Sequence, residues 1–327
     1  MLAISSFLAV ASTLGAIGWL NAAPAREVRS DALDSSETSQ QVARSNHDNA
    51  ASPNWIDELS RPSRETPPHQ VIRLAENDPS HSGNPTIAPL KWAGLVVNYE
   101  MFEKDGKKYP GVCTGQFIAP RVVLTAAHCV QDSKTGAWYD LKKTYFLLQY
   151  QNKSFSQSYR AICASRFDGW WPAQLRSPNT EERNRAEQNR WQWDYAMILV
   201  DRSSTTGHYP KLTLDWQQGR YPHATATGYP AAMLGGQIIQ IADGDIFFRI
   251  LGFPNIVALR HNSADLTQGS SGGAWVAYFD KGEDGEYNKV IAVTSFTNKS
   301  QPGVSFGPYL TSAFDRLLDY VSKGCSR

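Results

Sequence analysis

The chain has 327 residues and carries 32 Lys+Arg against 31 Asp+Glu, a formal charge of +1 that gives nucleic acid or an anionic membrane no electrostatic hold on it. Charged residues make up 19% and apolar ones 41%, with 13 Phe, 14 Tyr, 10 Trp, 24 Gly and 18 Pro, a balance that excludes disorder over most of the length and excludes a coiled coil. Four cysteines are too few for a small disulfide scaffold but permit two bridges in an exported protein, with three connectivities open.

Met1 to Ala23 holds no charge and runs through Leu2, Phe7, Leu8, Val10, Leu14, Ile17, Trp19 and Leu20 to the small residues around Ala22, Ala23 and Ala25. Residues 1–23 therefore read as a secretory signal. No basic residue precedes the run, and Ser5, Ser6, Ser12 and Thr13 interrupt it, so a retained anchor is the alternative. No later segment reaches membrane-spanning length, and the body is expected to be soluble, secreted or periplasmic, without a membrane partner once the signal is gone. Residues 24–86 are rich in Ser, Asn, Asp, Glu, Arg and Pro and bury too little apolar surface to offset ordering entropy, so they read as a disordered linker or pro-segment. Its one apolar cluster is Trp55, Ile56 and Leu59.

Residues 87–327 change texture and read as one domain. Short β-branched and aromatic runs alternate with turn residues: Leu95 to Val97, Val122 to Leu124, Tyr145 to Leu148, Ala196 to Val200, Ile238 to Ile241, Ile246 to Ile250, Ile256 to Leu259 and Val290 to Thr294. This is the pattern of an all-β sandwich or barrel, and the lack of helices between the runs argues against a parallel α/β sheet. Two helices are expected. One spans Thr180 to Arg190, where Glu181 and Arg185 are four apart, and the other follows Ser312, with Phe314, Leu317, Leu318 and Val321 on one face and Gly324 at its stop. Trp170, Trp171, Trp191 and Trp193 flank the first helix, as a lid, a substrate platform or simply an insertion anchored by aromatic packing.

Three segments set a reactive side chain among small or apolar neighbours: Leu124-Thr125-Ala126-Ala127-His128-Cys129, Trp193-Asp194-Tyr195-Ala196, and Gln268-Gly269-Ser270-Ser271-Gly272-Gly273. A serine hydroxyl is a poor nucleophile until a base takes its proton, and a histidine base needs an acid to fix its tautomer. His128, Asp194 and Ser271 supply those three parts, with Asp140, Asp168 and Asp201 as alternative acids. Gly269 lets its own amide and that of Ser271 converge on an oxyanion, and Gly272 and Gly273 leave room for substrate. All seven histidines precede Ser271, which excludes the α/β-hydrolase reading of Gly-x-Ser-x-Gly, since that fold places its His after the Ser. A subtilisin-like order would need an Asp before His128; Asp105 is available, but its context does not support it.

Thr125-Ala126-Ala127-His128-Cys129, with the order His128, Asp194, Ser271, resembles the trypsin/chymotrypsin superfamily of serine peptidases. The resemblance implies two packed six-stranded antiparallel β-barrels with a C-terminal helix, the site between the barrels, and a Cys113–Cys129 bridge beside His128. It leaves Cys163 and Cys325 to pair with each other or to remain free thiols. No Ile-Val-Gly-Gly-like activation sequence follows a basic residue upstream, and Ser270 stands where the activated enzymes carry an Asp for the new N-terminus. Gly269 to Gly272, with Gly228-Tyr229-Pro230, is more similar to the bacterial branch related to glutamyl endopeptidases. Asp265 lies where trypsin-like enzymes place the acid of the primary pocket, Val293 to Thr297 resembles the strand that pairs with substrate and includes Ser295 and Thr297, and Gly303 lines the pocket in this reading. No His follows Ser271 to recognise a Glu side chain. The implied activity is that of a serine endopeptidase acting on a protein or peptide through an acyl-enzyme, with no metal and no cofactor. A non-catalytic binding module on a peptidase scaffold, or an esterase using the same triad, is the alternative.

Overall fold

Two antiparallel sheets, each bent around its own apolar core, meet along a third core that carries the C-terminal helix. The computed structural model describes residues 41–44, 84–86, 88–104, 106–207, 209–210, 221–231, 236–247, 255–261, 266, 268–280, 287–297 and 303–326. The expected signal lies outside the described residues, as does most of 24–86, including Trp55, Ile56 and Leu59.

The first sheet is built from β1 (Gln41–Arg44), β2 (Ala93–Lys104), β3 (Lys107–Ala119), β4 (Val122–Thr125), β5 (Thr144–Leu148), β6 (Gln157–Arg166) and β7 (Ala196–Val200). Its order is β6-β5-β2-β3-β4-β7, and β7 pairs back onto β6, so six strands close a barrel. β1 lies antiparallel to the end of β6, with Gln41 opposite Arg166. Phe117, Phe146 and Tyr159 fill the barrel with edge-on rings 5.0 to 5.1 Å from the central Phe117. All of β4 and β7 is buried, because one face lines the barrel and the other meets the second sheet.

The second sheet comprises β8 (His223–Gly228), β9 (Gln240–Phe247), β10 (Ile256–His261), β11 (Ala274–Ala277), β12 (Lys289–Val293), β13 (Phe296–Thr297) and β14 (Val304–Pro308), in the order β12-β11-β8-β9-β10-β14-β13. The expectation of two six-stranded barrels fails here: this sheet is an open, seven-stranded half-barrel. Closure would need a ladder between its two ends. Instead, among the described residues, β13 is two residues long and pairs only with β14, while β12 reaches the far side through a single bridge, Ala292 to Tyr309. After β12 the chain turns at Thr294 and Ser295, and no described strand pairs with the second edge of β13.

Helix α1 (Thr180–Arg190) starts where Asn179 accepts the amides of Glu181 and Glu182, which satisfies two donors of its first turn. Helix α2 (Ala313–Ser322) buries Phe314, Leu317 and Val321 against Met197 and Leu199 of β7 and Val276 of β11, so it seals the joint between the sheets. Ser312 occupies its N-cap position without a side-chain capping bond. Disulfides join Cys113 to Cys129 and Cys163 to Cys325, the second pinning the end of α2 to β6. Among the described residues no helix is long and apolar enough to cross a membrane.

Candidate active site

β4 ends at Thr125, and the chain leaves it through an extended Ala126 into the short turn Ala127–Cys129. Ala126, Ala127 and Cys129 are buried, so the one side chain that reaches the rim is His128, 23% exposed. Asp194 follows the Trp191–Trp193 turn just before β7. Thr125 faces Ala196 across the β4–β7 ladder, and this pairing brings the two segments together over 66 residues. Asp194 is fully buried, and one carboxylate oxygen accepts His128 Nδ1 at 2.8 Å while the other accepts the His128 amide at 2.9 Å. Ser295 Oγ donates to the oxygen that His128 Nδ1 contacts. A carboxylate only accepts, so it fixes the imidazole with the proton on Nδ1 and leaves Nε2 as the basic nitrogen. Three donors also compensate the desolvation of the buried charge. The alternative acids are engaged elsewhere: Asp140 accepts the Lys142 amide, Asp168 pairs with Arg166, and Asp201 with Arg202.

The Gly269 to Gly273 loop belongs to the second sheet yet hangs from the first. Gly272 donates to the Thr294 carbonyl at 2.7 Å, and Thr294 to the Gly273 carbonyl at 2.8 Å. From the barrel, the buried Thr114 of β3 donates its amide to the Ser271 carbonyl at 2.8 Å and its hydroxyl to the Gly269 carbonyl at 2.8 Å. The same hydroxyl accepts the Tyr229 amide at 3.0 Å, and the Thr114 carbonyl accepts Thr125 Oγ1 at 2.8 Å. Cys129 Sγ lies 3.8 Å from the Ser271 carbonyl oxygen. Ser271 is thereby held against the disulfide next to His128, half-buried, and its hydroxyl makes no hydrogen bond among the described residues. The amides of Gly269 and Ser271 likewise have no acceptor there.

Gly269 has a φ of +99°, in the range that glycine adopts freely. Gly272, at +82°, and Gly273 leave room for backbone rather than for substrate: a Cβ on Gly272 would collide with Thr125 Oγ1 and the Thr114 carbonyl, and one on Gly273 with the Thr227 carbonyl. Ser270 is fully buried against Gly228, and its hydroxyl has no partner among the described residues. Thr114 escapes sequence reasoning because it reads as an ordinary strand residue after a cysteine. Ser295 is visible only as part of a substrate strand, and no sequence signal points it at Asp194.

Of the expected substrate-binding residues, Ser295 is tied to Asp194, Thr297 is exposed opposite Ser305, and Gly303 accepts the His261 amide at 2.9 Å at the start of β14. Asp265 lies outside the described residues. An aromatic seam leads away from the histidine: the His128 ring is 6.3 Å from Trp170, Trp170 is 5.3 Å from Trp191, and Trp191 is 5.5 Å from Phe296. Behind it the fully buried Arg166 donates to Gln131 Oε1 and to the Phe167 carbonyl, and burial pushes its guanidinium down to about 10. Cys113, His128 and Cys129 cluster closely enough to suggest metal ligands, but both sulfurs are in the disulfide and offer no thiolate.

No protein-family model matches the sequence, and no curated protein matches it. Solved structures do match in fold. A thermostable serine protease, AL20, from an extremophilic microorganism superposes with a TM-score of 0.52 at 21% identity, over 71% of this chain and 97% of that one. The protease Anisep from Arthrobacter nicotinovorans gives 0.52 at 19% identity over 75% and 99%, and a Glu endopeptidase gives 0.51 at 18% over 74% and 95%. The chain therefore has the fold of these serine proteases.

Proposed function

We propose that the protein is an exported serine endopeptidase of the bacterial branch related to glutamyl endopeptidases, its peptidase domain formed by residues 87–327. Ser271 is the nucleophile, His128 the general base and then the general acid, and Asp194 the residue that orients the imidazole. His128 Nε2 takes the Ser271 proton as Oγ attacks the scissile carbonyl, then returns it to the departing amine, and water releases the acyl group by the same steps. The Gly269 and Ser271 amides stabilise the oxyanion, each donor contributing about 3 to 4 kcal/mol to the transition state.

The observation that carries this reading is the buried Asp194 carboxylate that holds His128 Nδ1 while Thr114 and the disulfide hold the Ser271 backbone beside it. The Gly269 and Ser271 amides, without an acceptor among the described residues, support the oxyanion assignment, because backbone donors of this kind await an acceptor. Ser295 is a poor nucleophile, since its hydroxyl donates to the carboxylate rather than to the imidazole. It acts instead as a third anchor for Asp194, while Thr297 and Gly303 flank the substrate and Asp265 is left for the primary pocket.

A fluorophosphonate tests this directly. The wild type is expected to take the label on Ser271, Ser271→Ala to take none, and Ser295→Ala to remain labelled. Label on Ser295, or equal labelling of wild type and Ser271→Ala, would move the nucleophile elsewhere, and absence of label on both proteins would sink the assignment in favour of a binding module. Turnover of casein against a nitrophenyl ester separates peptidase from esterase, and cleavage-site sequencing with Asp265→Ala reads the pocket.

A further inference from the structure

The four tryptophans around α1 are not used by the chemistry above, and two of them, Trp171 and Trp191, line a cleft. Between the loop after His128 and helix α1 lies a cleft of about 640 Å³ whose wall includes Lys134, Trp171, Arg176, Arg183, Arg190 and Trp191. Arg190, nearly fully buried, is sandwiched 4.6 to 5.2 Å from the rings of Trp170, Trp171 and Trp191 and ion-pairs with Glu187 at 2.7 Å. Cation–π contact on three sides makes this wall rigid. Glu187 is the single acid lining the cleft, and Arg190 already neutralises it. Lys134 and Arg176 are exposed and in no ion pair among the described residues, although Asp132, which accepts the Lys134 amide at 2.7 Å, lies in electrostatic reach of Lys134, and there Arg183 bonds only to the Ser177 carbonyl and Thr180 Oγ1. A chain of nearly neutral overall charge thus concentrates Lys134, Arg176 and Arg183 at one concave place, with Asp132 offsetting part of the charge beside Lys134.

That place adjoins the candidate active site. Trp191 forms a wall of the cleft and also packs on Phe296 of β13, and Phe296 directly follows Ser295, the anchor of Asp194. Among the described residues β13 is an edge strand paired on one side alone, so an extended peptide can add to it and continue toward Trp191. We propose that the cleft is a second recognition site, which binds an Asp or Glu side chain of the substrate upstream of the scissile bond through Lys134 and Arg176, with Trp171 and Trp191 packing its aliphatic part. The inference rests on the endopeptidase reading and adds to it a class of substrate, peptides with an acidic residue at a fixed distance before the cut.

The test uses fluorogenic peptides identical except that one upstream position carries Glu or its neutral isostere Gln, moved one residue at a time, with wild type and the double variant Lys134→Gln, Arg176→Gln. Both replaced side chains are exposed, so folding is preserved. One upstream position is expected to favour Glu by about 10-fold in kcat/KM, the scale of two solvent-facing ion pairs acting together. The double variant should lose that preference and cleave the Gln peptides at the wild-type rate. Absence of any upstream preference in wild type, or a preference that survives in the double variant, overturns the assignment. Fluorophosphonate labelling in parallel separates the two levels: a protein that labels on Ser271 yet shows no acid preference fails at the cleft alone, whereas one that takes no label fails at Ser271, and the cleft assignment falls with it.

Discussion

Replacing Thr114 by Val keeps the volume and the β-branch while deleting one hydroxyl that joins the two halves of the molecule. That hydroxyl donates to the Gly269 carbonyl at 2.8 Å and accepts the Tyr229 amide at 3.0 Å, both in a fully buried setting. Each partner left unpaired costs about 1 to 3 kcal/mol, so a destabilisation of about 2 to 6 kcal/mol is expected from the pair. The functional effect should exceed what stability alone implies. The Gly269 carbonyl is free to rotate once released, because glycine at φ +99° has no side chain to resist it, and the Gly269 and Ser271 amides on either side then lose their common aim. Loss of one oxyanion donor lowers kcat by about 10² to 10³-fold. KM should change little, because these amides act on charge that develops only in the transition state. Steady-state kinetics on a peptide substrate, a thermal melt, and affinity for a peptide boronate check the three parts. Thr114→Ser, which keeps the hydroxyl, should restore most of kcat. A folded Thr114→Val protein with kcat within about 3-fold of wild type would refute the account.

Asp194→Asn should lower kcat by about 10⁴-fold with the fold intact, since the amide no longer enforces the Nδ1–H tautomer, while Ser295→Ala should cost roughly 10 to 100-fold by removing one charge-assisted bond; peptide kinetics with circular dichroism reads both. Gly272→Ala meets a left-handed φ together with the Thr114 carbonyl and Thr125 Oγ1, and should destabilise by more than about 3 kcal/mol in urea titration. Removing Cys163–Cys325, which closes 162 residues, should cost about 5 kcal/mol in the chain-entropy model against about 3 kcal/mol for Cys113–Cys129 with its 16; melts of the paired Cys→Ala variants that reverse this order would refute the loop-entropy account.

What was legible in the sequence is what local chemistry writes there. Ala196 to Val200 is five apolar residues because both its faces are buried, and Thr180 to Arg190 announces itself by the Glu181–Arg185 spacing. His128 stands out because the residues around it are small and buried. β8, His-Ala-Thr-Ala-Thr-Gly, gives no such sign: its alternation is of small residues, and it becomes a strand through pairing with β9 and β11. The open second sheet was equally hidden, because closure depends on how the chain turns at Thr294 and Ser295, which is set by the Gly272–Thr294 and Ser295–Asp194 bonds rather than by any residue's own preference. Thr114 and Ser295 act on groups 155 and 101 residues away, a distance over which residue patterns carry no signal.

That long-range wiring bears on how the site is switched on. Where the activated enzymes of the superfamily use an Asp before the nucleophile to receive a new N-terminal ammonium, this chain has Ser270, fully buried against Gly228. A carboxylate there would be desolvated without a counter-charge. The loop is ordered from the opposite side, by Thr114 on the Gly269 and Ser271 carbonyls and by the Ala231 amide on the Gln268 carbonyl at 2.7 Å, and none of these contacts involves a chain terminus. Protein whose N-terminal amine is acetylated, and protein left uncut before residue 87, should therefore react with a small fluorophosphonate at the same rate as trimmed protein with a free amine. A rate that rises 100-fold or so only when trimming exposes an unblocked amine would mean that an inserted ammonium, and not Thr114, sets the oxyanion loop.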